Sequence, residues 1–258
     1  MKKRIEAFLN RRYTKWLLKH RQYRFDFEEI SLNYLFVPQK GSKRLTVVFS
    51  GMNQTKASYN YIGLLNFTRS NRLYILDDCG DAVLGCYYIG TNGNNRVELA
   101  VKALIEMVKK KTDASDMVFC GSSKGGYAAL NFGIEYPGAV IIAGAPQYRL
   151  GFYLQHRKSP KLMKIIAGEH VSADYLGSLD MKIEKKLAEN RELFQGKIYL
   201  HYSNEEHTYK EHIQSLLCDF KKLNYKVIED VRSYTEHDDV ALFFPPFLEK
   251  TILELERV

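Results

Sequence analysis

Ser123 stands between Gly121 and Gly125 in the run Val118-Phe119-Cys120-Gly121-Ser122-Ser123-Lys124-Gly125-Gly126-Tyr127. That spacing, G-x-S-x-G, is the pattern of a serine held at the tip of a sharp strand-to-helix turn. The two glycines fall where a side chain would collide with the backbone. The apolar residues from Met117 to Cys120 suit a buried parallel strand, and Tyr127-Ala128-Ala129-Leu130 suit a helix lying on the sheet. A serine so placed is a nucleophile for acyl transfer. A plain glycine-rich turn is the alternative, and the flanking strand and helix weigh against it. A phosphate-binding loop needs Gly-x-x-x-x-Gly-Lys followed by Ser or Thr, whereas Lys124 precedes the glycines.

A serine hydroxyl is a weak nucleophile at neutral pH, so it needs a histidine to take its proton and an acid to fix that histidine's tautomer. In a chain with this turn the order is Ser, acid, His. His237, in Ser233-Tyr234-Thr235-Glu236-His237-Asp238, follows the last expected strand and is the best base. Of the others, His20 precedes the main fold, His201 lies within a strand, and His156 and His170 belong to an insertion. His207 and His212 read as surface residues. The acid is expected just past the penultimate strand, where Ser203-Asn204-Glu205-Glu206 stands. Glu206 is favoured and Glu205 is the alternative, since a one-residue shift is invisible in sequence. The other place for such an acid, after the preceding strand, holds Gln147. Asp238 and Asp239 stand too near His237 in sequence to orient it. The negative oxygen of a tetrahedral intermediate needs preorganised donors, each worth about 3 kcal/mol. By position these are the backbone N–H groups of Lys124 and of Met52, in the loop after an early strand.

Elements that could hold these groups alternate along the chain. Residues 24–37 predict an antiparallel strand pair. Leu45 to Phe49, Leu73 to Leu76, Val140 to Ala143, Ile198 to Tyr202 and Tyr225 to Val231 predict further strands. Helices are expected within 57–69, over Val97 to Val108 and over Ile213 to Leu223. Pro245-Pro246 is expected to break the start of a closing amphipathic segment. This rhythm implies an α/β fold with a mainly parallel sheet covered by helices on both faces. Residues 148–195 interrupt it with a polar, helix-prone insertion, a cap over the nucleophile. Its cations Arg149, Arg157, Lys158, Lys161 and Lys164 could receive an anionic substrate or simply be solvated. Arg157, Lys158 and Lys161 are the candidates for substrate binding.

The composition, with 45% hydrophobic and 26% charged residues, is that of an ordinary globular protein. The 258 residues suit one domain over 25–258, preceded by a basic helix within 1–24. Nine Lys or Arg and one Glu fall in residues 1–24, which carries the chain's whole net charge of +8. Ile5, Phe8, Leu9, Tyr13, Trp16 and Leu17 form a stripe beside this basic face. The helix either docks on the domain or lies on an anionic membrane. No nucleic-acid module accompanies the charges. Four irregularly spaced cysteines argue against a disulfide framework or a metal site. With no signal peptide or membrane-spanning run, the protein is expected to be cytoplasmic, possible contact with the inner membrane face being left to the helix.

GSSKGGYAAL, the APQ after the next strand, GCYYI before the second helix and the final histidine followed by aspartate resemble the bacterial capsular polysaccharide O-acetyltransferases of α/β-hydrolase fold. The likeness runs from about Leu45 to the C-terminus. The G-x-S-K-G-G run is also similar to the esterase-like component of accessory Sec secretion systems. The resemblance implies Ser123 as the acetylated nucleophile, His237 as base, Glu206 or Glu205 as acid, acetyl-CoA as donor, and a hydroxyl of a cell-surface polysaccharide or its precursor as acceptor; no metal is expected, on the cysteine spacing above. The group's acid is typically aspartate, where this chain has paired glutamates, and the basic N-terminal helix is an addition. A carbohydrate esterase or deacetylase with the same triad is the rival reading. A non-catalytic scaffold of polysaccharide or secretion machinery is a third.

Overall fold

The strand that leads into the serine turn lies in the middle of the sheet. In the computed structural model, which describes residues 2–53, 55–156 and 160–257, with side chains from residue 10 onward, β5 (Asp116–Ser122) is flanked on both sides by parallel strands. The full order is β1-β2-β4-β3-β5-β6-β7-β8, built from β1 (Gln22–Phe27), β2 (Ile30–Val37), β3 (Arg44–Phe49), β4 (Asn71–Ile75), β6 (Val140–Gly144), β7 (Lys197–Ser203) and β8 (Val227–Arg232). β1 and β2 pair antiparallel, as does β2 with β4, and every pairing from β4 to β8 is parallel.

Strand residues alternate between two cores because successive side chains point to opposite faces. Leu45, Val47, Phe49, Phe119 and Ile141 face one side, under α2 (Arg96–Thr112), α3 (Lys124–Gly133) and the insertion. Val48, Val118, Cys120 and Ile142 face the other, under α1 (Lys2–His20) and the last helix. The insertion folds as α4 (Leu150–His156), α5 (Pro160–Ala167), α6 (Ala173–Asp180) and α7 (Lys182–Asn190). Charge anchors it: Lys186 lies 2.7 Å from Glu98 and 2.8 Å from Glu135, and Lys182 lies 2.6 Å from Glu98. Burial alone would raise the Glu98 carboxyl, but Lys186 and Lys182 hold it down at about 2.

Two local expectations, the helix within 57–69 and the break at Pro245-Pro246, differ from the structure. Residues 57–69 form a chain of turns rather than a helix. Leu65 N–H reaches Tyr61 O as in one helical turn, but Tyr61 has a φ of +62° and Asn60, Gly63 and Asn66 are poor helix formers, so the turn does not propagate. After β7 a π-helical turn (Tyr209–Ile213) leads into α8 (Gln214–Lys222). The final helix α9 (Val240–Leu255) runs through Pro245 and Pro246 instead of starting after them. The carbonyls these prolines leave unpaired belong to Ala241 and Leu242, both exposed, so water can satisfy them.

In α1, Leu17 is buried and Tyr13 packs on the second core, while Asn66 Nδ2 donates to Asn10 Oδ1 at 2.7 Å. The described part of the helix is therefore docked. Arg11, Arg12, Lys15 and Lys19 face outward beside exposed Trp16 and Leu18. Ile5, Phe8 and Leu9 belong to the residues whose side chains are not described. No described helix is long and apolar enough to cross a membrane.

Candidate active site

β3 is followed in sequence by β4 on one side of it and by β5 on the other, so the chain changes direction across the sheet between β3 and β5. In open α/β sheets, the crevice at the C-terminal ends of such strands is where ligands bind. The Met52 loop leaves β3 there and the serine turn leaves β5 beside it. A Cβ on Gly51 would meet Ser122 O at 3.6 Å, an ordinary contact that shows how closely the two segments lie.

The turn is held by backbone contacts that only glycine permits. A Cβ on Gly121 would fall 2.5 Å from the Gly125 carbonyl carbon, and one on Gly125 would fall 2.7 Å from Phe49 O. Ser123 itself has φ +53° and ψ −121°, a strained conformation for a side chain-bearing residue. Its N–H donates to Gly144 O at 2.7 Å, which locks the turn to β6.

From that tip Ser123 Oγ–H donates to His237 Nε2 at 2.9 Å, and His237 Nδ1–H donates to Glu206 Oε2 at 2.9 Å. The buried Glu206 carboxylate accepts only, so it fixes the proton on Nδ1 and leaves the Nε2 lone pair for the serine. Thr208 Oγ1 donates to the second Glu206 oxygen at 2.5 Å. Glu205 points into solvent, and only its backbone takes part: its N–H donates to Ser203 Oγ at 3.1 Å. Of the paired glutamates it is thus Glu206 that reaches the histidine. Ser203, at the place where such turns usually carry glycine, also accepts from Tyr234 N–H at 3.0 Å and donates to Tyr234 O at 2.5 Å. One hydroxyl therefore ties the acid's loop to the histidine's loop. His237 opens a short 3-10 turn (His237–Asp239) ahead of α9.

Among the remaining histidines, His212 is fully buried, not at the surface, because the π-helical turn rotates it inward, where its Nδ1 accepts from Arg149 N–H at 3.2 Å. His207 is half-buried with its ring 5.7 Å from that of His237. His201 is buried, 2.6 Å from Asp230 and 3.3 Å from Tyr234 Oη, and its burial lowers its pKa. None of these contacts reaches a serine.

Lys124 provides the first backbone N–H of α3, directly after Ser123. Its side chain is almost wholly buried, with Nζ 2.9 Å from Asp77 Oδ2 and donating to Leu84 O at 3.0 Å. Asp77 in turn accepts from Cys86 N–H at 3.0 Å, and its own N–H donates to Ser50 Oγ at 3.3 Å. Ser50 immediately precedes Gly51 and Met52. One ion pair therefore braces both segments from which an oxyanion hole would be built, a connection invisible in sequence because its partners stand 47 positions apart. Removing one member strands the other's charge in the core. Lys124→Met and Asp77→Asn should each cost about 3–5 kcal/mol in urea unfolding, and the double variant should cost less than the sum of the two. Single variants as stable as the wild type would show that the pair braces nothing.

Arg157 and Lys158 lie outside the described residues. Lys161, on α5, extends into solvent but sits 2.6 Å from Asp81. Lys161, with the N–H groups of Leu84 and Val83, holds the Asp81 carboxyl down at about 2. The cap is thereby pinned to the loop that also receives Lys124, and an anionic substrate at Lys161 would have to share it with Asp81. Gln147, noted in sequence only as a missing acid, is buried within hydrogen-bond reach of both Ser123 and His237. No cluster of His, Cys, Asp and Glu among the described residues could hold a metal ion.

No protein-family model matches the chain, and no curated protein matches it in sequence. Solved structures do. The capsule O-acetyltransferase of Neisseria meningitidis serogroup A superposes with a TM-score of 0.68 over 89% of this chain and 94% of that one, at 21% identity. The staphylococcal fluorophosphonate-binding serine hydrolase FphF superposes with a TM-score of 0.63 over 90% of this chain and 96% of that one, at 12% identity. This chain has an α/β-hydrolase fold. A variant of the meningococcal enzyme in complex with CoA matches at a TM-score of 0.68, covering 92% of this chain and 99% of that one at 18% identity. The glycosylation-associated Gap123 complex of Streptococcus agalactiae matches at 0.73 over 90% of this chain and 46% of that one, at 19% identity. Within the α/β-hydrolase fold, a serine on a strained turn with an ordered histidine and a buried carboxylate can form and discharge an ester.

Proposed function

We propose that this protein is a serine-dependent O-acetyltransferase that carries acetyl from acetyl-CoA, through an acetyl-Ser123 intermediate, to a hydroxyl of a bacterial capsular or related cell-surface polysaccharide. The observation that carries the reading is the relay Glu206–His237–Ser123, two 2.9 Å hydrogen bonds ending on a strained serine. Support for the donor and acceptor comes from the resemblance of the GSSKGG and APQ runs, together with the likeness to a capsule O-acetyltransferase and to its variant in complex with CoA.

In this reading Ser123 Oγ attacks the thioester carbonyl while its proton passes to His237 Nε2. The carbonyl oxygen's charge is taken by the N–H groups of Lys124 and Met52, and the thiolate leaves with the proton from Nε2. The acceptor hydroxyl then repeats the sequence in reverse: its oxygen bonds the acetyl carbon, its proton goes to Nε2, and Ser123 recovers that proton as the ester breaks. His237 is 21% exposed at its side chain, so substrates can reach the relay. Transfer to a sugar rather than to water demands an oriented acceptor, because bulk water is abundant and only a held competitor prevails. The cap supplies the wall for that orientation.

Incubation with acetyl-CoA and candidate capsule oligosaccharides, following free CoA alongside mass gain on the sugar, separates transfer from hydrolysis. Acceptor-dependent CoA release with acetylated sugar is expected. CoA release indifferent to every glycan, with rapid cleavage of simple acetate esters, would make the protein an esterase.

A further inference from the structure

The position after β6 holds neither an acid nor a spectator. Gln147 Nε2–H donates to Ser123 Oγ at 3.0 Å and lies 3.1 Å from His237 Nε2, so amide, hydroxyl and imidazole form a closed triangle. Its other end is fixed, since Tyr87 Oη donates to Gln147 Oε1 at 3.4 Å. Tyr87 is itself fully buried and set edge-on against Tyr127. With the carbonyl end occupied by a hydroxyl donor, the NH2 end faces the serine.

We propose that Gln147 is a further catalytic residue, a neutral donor that stabilises the alkoxide character of Ser123 Oγ each time that oxygen gains or loses its proton. The inference rests on the seryl-nucleophile reading above. The stereochemistry of Oγ supports it. One of its four directions is the bond to Cβ, one carries the proton toward His237, and one lone pair is taken by Gln147. A single lone pair remains for the acyl carbon, so Gln147 also selects the line of attack. When the Oγ–C bond forms, the O–H pair stays on oxygen as the proton moves to Nε2. When that bond breaks, its electron pair returns to Oγ, which is then flanked by the Gln147 amide and protonated His237. Both donors meet the charge where it appears.

Carboxylate chemistry at this position would do the opposite. An ionised Glu would repel the developing alkoxide and would stabilise the imidazolium. The amide keeps the hydrogen bond and adds no charge.

The test needs no acceptor glycan. The second-order rate of labelling by a fluorophosphonate is measured across pH for wild type, Gln147→Leu, Gln147→Glu and Ser123→Ala, with circular dichroism to establish folding. Gln147→Leu should label about 10- to 100-fold more slowly, the value of one hydrogen bond to a charged group, with its acid limb unmoved. Gln147→Glu should shift the acid limb to higher pH, because a carboxylate beside Nε2 holds the imidazole proton more tightly. A folded Gln147→Leu that labels at the wild-type rate, while Ser123→Ala is silent, refutes the role of Gln147 alone. Should Gln147→Leu not fold, a Gln147→Glu profile superimposed on the wild type refutes it equally. Labelling that persists in Ser123→Ala refutes the seryl reading, and this proposal with it.

Discussion

Ser123→Ala and His237→Ala are each expected to lower acyl-transfer turnover by about five to six orders of magnitude, the loss seen when a member of a cooperating serine–histidine pair is removed. The effect is large because neither group works alone. Without the imidazole, the Ser123 proton has no acceptor at 2.9 Å, and without the hydroxyl, His237 has no nucleophile to activate. Stability should change little. Ser123 lies at a turn tip and His237 in a short 3-10 turn, neither contributing an apolar side chain to either core. Initial rates with acetyl-CoA, alongside urea unfolding curves, check both statements. Turnover near the wild-type level in either folded variant would remove Ser123 or His237 from the mechanism.

Glu206→Gln should lower turnover by about four orders of magnitude, whereas Glu205→Gln should leave it near the wild-type level. The substitution is nearly isosteric and Thr208 can still donate to the remaining oxygen, so the loop should keep its place. The chemistry fails for another reason. An amide offers N–H where Nδ1 requires an acceptor, which favours the tautomer protonated on Nε2 and turns the base away from the serine. Glu205 points into solvent and contributes only its backbone N–H to Ser203, a contact its Gln variant keeps. Steady-state kinetics on the two variants decide the matter. Equal losses, or the larger loss at Glu205, would contradict the geometry.

The central turn was legible because its spacing is imposed by backbone geometry: Gly121 and Gly125 touch chain, not side chains, and no other residue fits. The mainly parallel character of the sheet follows from alternating strand-like and helix-like runs, and the insertion after β6 from the break in that rhythm. What escaped was set by distance across the fold. Gln147 carries no sequence signal of a donor, since only its 3.0 Å approach to Ser123 reveals one. Asp77 carries no sequence signal of a core ion pair, although it is buried against Lys124. The acid remained ambiguous between Glu205 and Glu206 because burial in a turn changes completely over one residue. Residues 57–69 carry helix-compatible apolar spacing, yet Asn60, Gly63 and a left-handed Tyr61 turn the chain instead. The candidate substrate-binding cations Arg157 and Lys158 fall outside the described residues, and Lys161 has a partner in Asp81 that composition alone does not disclose.

The most direct test of a covalent Ser123 mechanism is intact-protein mass spectrometry after rapid mixing with acetyl-CoA and acid quench, followed by peptide mapping. The account predicts a transient gain of one acetyl group on the peptide carrying Ser123, lost when an acceptor glycan is added and absent in Ser123→Ala. Release of CoA with no acetyl on Ser123 at any quench time, or acetyl placed on another residue and retained in Ser123→Ala, would contradict it.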